Sequence, residues 1–137
     1  MRRGILQIAG LLLLAMPGAV GAAEPVELTY DDAVKCAALD TALAIVLTSD
    51  EANASDEDRR AADYYSKMAD TWLGQAGKSN PGGEEATLKD IIDSSTTMLT
   101  SLADEKDSAA QARFTADIET CTALEEAAYG GPNGMVD

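Results

Sequence analysis

Residues 29–48 read TYDDAVKCAALDTALAIVLT, and this stretch has the pattern of an amphipathic α-helix. Thr29 can act as the N-cap, and Asp31 and Asp32 fall in the first turn, where the helix dipole favours negative charge. Apolar side chains then recur every three or four positions, as they do on one face of a helix. The stretch therefore predicts a helix over about residues 30–48, with its cysteine on the apolar face.

Three further segments show the same helical spacing of apolar residues. Each is bounded by residues that cap a helix or break it. The capping-box pattern at 55–58 precedes the second helix, which is predicted to end at Gly77 in the turn at 77–83. Asp107 or Ser108 caps the fourth helix, and Gly130-Gly131-Pro132 ends it.

Four helices joined by short loops favour antiparallel neighbours. We therefore predict an all-α fold, an antiparallel up-down-up-down four-helix bundle over residues 30–129. Residues 23–29 and 130–137 are expected to be flexible, as chain ends often are. Intrinsic disorder is the alternative, because large apolar residues are few and the net charge is high. The helical register of the apolar residues in all four segments favours the bundle.

The first 22 or 23 residues have the pattern of an export signal. Arg2 and Arg3 precede an apolar stretch that is shorter than the roughly 20 residues needed to span a bilayer. Small residues then lead to a cleavage site after Ala22 or Ala23. We predict a cleaved signal peptide at 1–22 and a periplasmic or secreted protein, with the general secretory route favoured over the twin-arginine route. An uncleaved N-terminal anchor is the alternative.

The chain has 137 residues, the length of one domain, and it contains no histidine. It has 10 basic and 24 acidic residues. The signal holds two of the basic and none of the acidic residues, so the mature chain carries 8 basic and 24 acidic side chains, a net charge of −16. This charge disfavours binding to nucleic acid and anionic membranes. The lack of histidine excludes histidine catalysis and histidine-ligated metal or haem, and no cofactor is expected.

The two cysteines, Cys36 and Cys121, form an even pair in a chain predicted to be exported. They lie 85 positions apart and therefore form neither a C-x-x-C redox motif nor a zinc-ligand cluster. In an antiparallel bundle their depths along the first and last helices agree to about 3 Å, at 1.5 Å of rise per residue. We predict a structural disulfide between them, with two buried free thiols as the alternative.

The same register places Asp40 opposite Asp117, and Leu43 opposite Phe114, between the first and last helices. Two facing carboxyl groups can share a proton, which is how paired acids are tuned for acid–base chemistry. The alternative is that both aspartates lie at the rim of the seam, with Arg113 as an ion-pair partner. No nucleophile or oxyanion-binding group accompanies the pair, and we therefore expect a structural role.

An acidic group surrounds the start of the second helix. It consists of Asp50, Glu51, Asp56, Glu57 and Asp58. Such oxygen-rich clusters can bind Ca²⁺ or Mg²⁺, but this one lacks the glycine and the terminal glutamate of an EF-hand loop. We interpret it as helix capping, with weak divalent-cation binding as the alternative.

Three aromatic residues, Tyr64, Tyr65 and Trp72, follow on the second helix. They could form a ligand-binding aromatic patch. The more common arrangement is that such rings fill a seam between helices while their polar tips contact water, and this is our prediction.

The segments around the two cysteines are DDAVKCAAL at 31–39 and ETCTALE at 119–125. They resemble those of uncharacterised small exported helical-bundle proteins of Gram-negative bacteria. These proteins have one cysteine in the first helix and one in the last. The resemblance implies a helical bundle with a disulfide between its first and fourth helices.

These observations favour a non-enzymatic, soluble periplasmic protein with a structural or protein-interaction accessory role. Its partner would present a positively charged or apolar surface, because the chain itself is strongly acidic. The alternative is a binding module for divalent cations or for a small apolar ligand between helices. A third hypothesis is an acid-stress chaperone that loosens when its carboxylates are protonated. The sequence does not indicate an oligomeric state.

Overall fold

The computed structural model describes residues 27–80, 82–104 and 106–131. In this part of the chain the secondary structure consists of four α-helices and no strand. The helices are α1 (Tyr30–Thr48), α2 (Asp56–Ser79), α3 (Gly83–Ala103) and α4 (Ser108–Tyr129). The predicted all-α fold class is confirmed. The predicted signal peptide at 1–22, its cleavage site and most of both predicted flexible ends lie outside the described residues.

Two of the helices begin with a capping box. The Thr29 hydroxyl accepts a hydrogen bond from the Asp32 amide at 3.1 Å, and the Thr29 amide donates to the Asp32 carboxylate. Ser55 and Asp58 repeat this exchange at the start of α2, at 3.1 and 2.9 Å. The hydrogen bonds from the Ser55 hydroxyl and amide lower the pKa of the Asp58 carboxyl group. Both caps satisfy amides that the first turn leaves without helical partners.

α2 continues past the predicted end at Gly77 and stops at Ser79, and Asn80 follows as the C-cap in an extended backbone conformation. The Asn80 amide group donates to the hydroxyl of Thr87 at 2.8 Å and to the hydroxyl of Tyr30 at 3.3 Å. Its carbonyl oxygen accepts from the Gly82 amide at 2.9 Å. One side chain thus connects α1, α2 and α3 at the α2–α3 turn.

α1 is the central element, because it contacts each of the other three helices, and most extensively α2. Its buried face consists mainly of small residues, which allow neighbouring backbones to approach closely. The buried side chains of α1 are those of Ala33, Cys36, Ala37, Ala38, Leu39, Asp40 and Ala42. The larger buried side chains that pack against this face are Met68 and Trp72 of α2 and Ile91 of α3.

The sulfur atoms of Cys36 and Cys121 are 2.11 Å apart, and the two Cα atoms are 5.5 Å apart. The predicted disulfide is therefore present between α1 and α4, and both cysteines are buried. The other buried residues of α4 are Ala110 and Glu125. Its larger apolar side chains, those of Phe114, Ile118, Leu124 and Tyr129, pack against the core but are only partly buried.

None of the helices in residues 27–131, as far as they are described, combines the length and the hydropathy that a membrane span requires.

Candidate functional site

A pair of carboxyl groups lies in the core beside the disulfide. Asp40 follows Cys36 by one helical turn, and Glu125 follows Cys121 by one helical turn. The two carboxyl groups contact each other across the core, and the Glu125 side chain is positioned there by hydrogen bonds from α2. The side chains are almost completely buried, with 1% of Asp40 and 4% of Glu125 exposed. Such burial of acidic residues is costly unless their polar atoms are paired.

Two donors from α2 hold the Glu125 carboxylate. The Tyr64 hydroxyl donates to Oε2 at 3.2 Å, and the Trp72 indole N–H donates to Oε1 at 3.3 Å. Trp72 is fully buried, and its ring lies edge-on to that of Tyr129, with centroids 5.3 Å apart. Each of the two carboxylate oxygens of Glu125 thus accepts one hydrogen bond from α2.

Asp40 carries the proton of the pair. Burial, followed by the charge of Glu125 and a hydrogen bond to it, raises the pKa of Asp40 to about 9. Within the described residues, its Oδ2 atom is buried and has no hydrogen-bond partner. At neutral pH the folded protein therefore keeps Asp40 protonated beside Glu125.

The pair affects two neighbouring tyrosines. Burial raises the pKa of Tyr64 and of Tyr65, and the nearby carboxyl groups of Glu125 and Asp40 raise both further. The two tyrosine rings contact each other edge to face, with centroids 5.4 Å apart. Both hydroxyls therefore stay protonated, and that of Tyr64 donates to Glu125.

A cavity of about 270 Å³ opens beside the pair, between α2 and the end of α4. We call it the tyrosine cavity. Its lining residues are Tyr64, Tyr65, Thr122, Glu125, Glu126, Gly130 and Gly131. Gly130 ends α4 in the left-handed conformation (φ 78°), which a residue with a side chain rarely adopts, and so turns the chain over the cavity.

The sequence paired Asp40 with Asp117, and the structure places each of them beside a different residue. Asp40 contacts Glu125, whereas the Asp117 carboxylate lies 3.8 Å from the Lys35 ammonium group and is partly exposed. A strictly antiparallel register would place Asp40 opposite Asp117. That register is derived from α1 and α4 alone. The position of Glu125 also depends on the hydrogen bonds that it accepts from α2.

Glu125 itself was not predicted as a site residue. A signal for it does exist, because each cysteine is followed four positions later by an acidic residue: Cys36 by Asp40 and Cys121 by Glu125. An acidic residue at this spacing lies on the same apolar face of the helix as the cysteine. The pattern therefore indicates two acids on apolar helix faces, but in antiparallel helices it does not by itself pair them.

The acidic group around the start of α2 is engaged in local structure. The Asp58 carboxylate caps α2, Asp50 accepts a hydrogen bond from the Asn53 side chain at 2.7 Å, and Asp56 lies 3.4 Å from Arg59. The other two members, Glu51 and Glu57, are exposed. In the described part of the chain, no three acidic or cysteine side chains converge as metal ligands would.

Millimolar Ca²⁺ or Mg²⁺ should therefore leave the melting temperature unchanged. Carboxylates already committed to caps and ion pairs offer no preformed coordination shell. Thermal melting with and without the ions, at equal ionic strength, is the measurement. A rise of about 10 °C or more would indicate a specific cation site by mass action and would contradict the capping interpretation.

A second feature is an apolar groove of about 470 Å³ where α1, α3 and α4 meet. We call it the junction groove. Its lining residues are Leu43, Val46, Leu99, Leu102, Ala103 and Phe114. Leu43 and Phe114, which the sequence placed opposite each other, both line it. Val46 is 51% exposed, so part of this apolar surface contacts water in the isolated chain.

Comparison of the chain with protein-family models, with curated proteins and with solved structures gives no match. We therefore infer a function from the physical properties of its own residues.

Proposed function

We propose that this chain is a non-enzymatic, soluble, exported protein with a protein-interaction accessory role, and that its junction groove binds a basic amphipathic helix of a partner protein. The observation that carries the proposal is an exposed, wholly apolar groove on a strongly acidic molecule. An apolar groove of this kind accommodates the apolar face of a helix.

The charges around the junction groove favour a basic partner. The C-terminal ends of α1 and α3 contribute to the groove, and neither helix has a basic residue in its last turn. Neither helix therefore neutralises the negative end of its dipole with a basic residue of its own last turn. Asp50 and Asp104, both exposed, follow these two helix ends along the chain. Lysine and arginine side chains on a bound helix would complement this negative potential.

Export is supported by two observations that do not depend on the groove. The first is the signal-like sequence at the start of the chain, with its arginines, apolar stretch and small residues. The second is the buried disulfide between Cys36 and Cys121, since such bonds persist in oxidising compartments. We also infer the up-down-up-down order of the helices, because the connections at 49–55, 80–82 and 104–107 are short.

A non-enzymatic role is supported by the composition of the chain and of the carboxyl pair. The sequence contains no histidine, and the hydrogen-bond donors to Glu125 are a tyrosine and a tryptophan, which hold the carboxylate in place. The acid-stress chaperone hypothesis receives no support from the pair. That function needs a fold that loosens on acidification, whereas protonated Asp40 is the form that the core favours.

The proposal can be tested with two matched variants and a designed peptide. The probe is an amphipathic peptide of leucine and lysine with helical spacing, titrated by calorimetry. Val46→Asp puts a charge in the groove, and Ile92→Asp puts the same charge at an equally exposed apolar position outside it; the two side chains are 51% and 52% exposed. We expect Val46→Asp to weaken binding about tenfold, which corresponds to about 1.4 kcal/mol.

Ile92→Asp is expected to leave the affinity unchanged or to increase it, because the protein becomes more acidic. Circular dichroism of both variants checks that the fold is retained. Equal affinities of the two variants for the peptide would mean that the attraction is purely electrostatic, and would contradict docking in the groove.

A further inference from the structure

We propose that the tyrosine cavity is a binding site for a small primary ammonium ion. The cavity is distinct from the junction groove, and the inference does not depend on the proposed partner protein. At about 270 Å³ it lies just below the size range of drug-sized ligand pockets, so its ligand would have few non-hydrogen atoms.

The lining of the cavity combines aromatic rings with oxygen acceptors. Tyr64 and Tyr65 contribute two aromatic rings, a type of group that attracts cations. The carboxylates of Glu125 and Glu126 and the hydroxyl of Thr122 offer acceptors for N–H groups. No lysine or arginine is among the lining residues.

The end of α4 adds to this potential. The last turn of α4 contains no basic residue, and its C-terminal end forms one wall of the cavity through Gly130 and Gly131. The negative end of the helix dipole therefore lies beside the cavity, with no basic residue in the last turn of α4 or among the lining residues. The aromatic rings favour an organic ammonium ion over a divalent metal, which prefers a shell of oxygen ligands.

A second, independent observation is the carboxyl pair behind the wall of the cavity. Asp40 is 1% exposed, and among the described residues its Oδ2 atom has no hydrogen-bond partner. The groups that face it are Glu125 from α4 and Tyr64 and Tyr65 from α2. The two helices that the disulfide joins thus place two buried carboxyl groups beside the cavity, and the Oδ2 atom of Asp40 has no hydrogen-bond partner among the described residues.

A cation in the cavity changes the balance of this pair. The positive charge next to Glu125 lowers the repulsion that Asp40 meets on ionisation, so binding favours release of the Asp40 proton to solvent. One ammonium ion then enters as one proton leaves, and the total charge of the site and ligand is conserved. Binding should therefore be tighter at pH 9 than at pH 6.

The experiment uses n-butylammonium chloride as the probe and follows the backbone amide resonances of the disulfide-bonded protein. We expect saturable shifts at Thr122, Tyr64 and Tyr65, with an affinity several-fold higher at pH 9 than at pH 6. Sodium chloride at equal ionic strength and 1-butanol are the ligand controls. Shifts of equal size with either control would overturn the proposal.

Matched variants separate the site from general charge. Glu126→Gln removes an exposed carboxylate that lines the cavity, and Glu119→Gln removes an exposed carboxylate of the same helix outside it. Glu126→Gln should weaken binding at least threefold, and Glu119→Gln should not. Asp40→Asn should retain binding but lose its dependence on pH. Equal effects of the two glutamate variants, or an unchanged pH dependence in Asp40→Asn, would refute the site.

Nα-acetyl-lysine amide, tested beside n-butylammonium, distinguishes the source of the ammonium group. Tighter binding of the lysine derivative indicates a lysine side chain of a protein, and tighter binding of n-butylammonium indicates a free amine. Failure of both compounds to bind would overturn the proposal.

Discussion

Replacing both Cys36 and Cys121 with alanine is expected to lower the free energy of unfolding by up to about 4 to 5 kcal/mol. The bond closes a loop with a sequence separation of 85 residues, which restricts the unfolded chain strongly. For a domain of this size the loss corresponds to a fall of roughly 15 to 25 °C in melting temperature. Alanine is the appropriate replacement because both positions are buried and apolar. Thermal melting by circular dichroism measures the effect.

The loss should be concentrated in α4, because its fully buried residues besides Cys121 are only Ala110 and Glu125. Hydrogen exchange of the double variant should therefore show α4 losing protection before α1 and α2. A reducing agent should destabilise the unmodified protein by a similar amount and leave the double variant unchanged. Two reactive thiols in the unfolded, unreduced protein would show that the bond is absent.

The second large effect concerns pH. Between pH 5 and pH 8 the protein is expected to become more stable as the pH falls, by at most about 1.4 kcal/mol per pH unit. In the unfolded chain Asp40 has a pKa near 3.8, and in the folded protein burial beside Glu125 raises it to about 9. The folded state therefore keeps a proton that the unfolded state has released. This contribution is complete below pH 3.8 and is lost as the pH rises through 9.

Asp40→Asn should remove this pH dependence and stabilise the protein at pH 8, because an amide can still donate to Glu125 without needing a proton from solvent. Asp117→Asn is the matched control, since it removes a partly exposed carboxylate that pairs with Lys35. Both variants replace one aspartate with asparagine, but in the folded protein Asp40→Asn replaces a group that is already protonated, so the pH dependence should persist in Asp117→Asn. Urea unfolding at several pH values is the measurement, and a slope that persists in Asp40→Asn would contradict the assignment.

The sequence was sufficient for the parts of the structure that local rules determine. The helices follow from apolar spacing, and their starts follow from side chains such as Thr29 and Ser55 that bond to amides three residues away. The disulfide was also predictable, because an even pair of cysteines lies on two apolar faces at matched depth. The end of α2 was placed two residues early, since Asn80 caps it through contacts with α1 and α3.

The site required information that no single helix contains. Asp40 was singled out, but its partner was inferred from the register of two helices. Glu125 accepts hydrogen bonds from Tyr64 and Trp72 of a third helix. The spacing of residues along the chain does not predict such contacts between helices. The junction groove and the tyrosine cavity are also products of three-dimensional packing, because each is lined by residues of two or three helices.

The central claim is that Asp40 and Glu125 share one proton in the core of the folded protein. The most direct measurement is a titration of the Asp40 side-chain carboxyl carbon by ¹³C NMR in the disulfide-bonded protein, with Asp40→Asn identifying the resonance. We predict the chemical shift of a protonated carboxyl group at pH 7, with ionisation only as the pH approaches about 9. An Asp40 that is already ionised at pH 7 and titrates near its ordinary pKa of 3.8 would contradict the account.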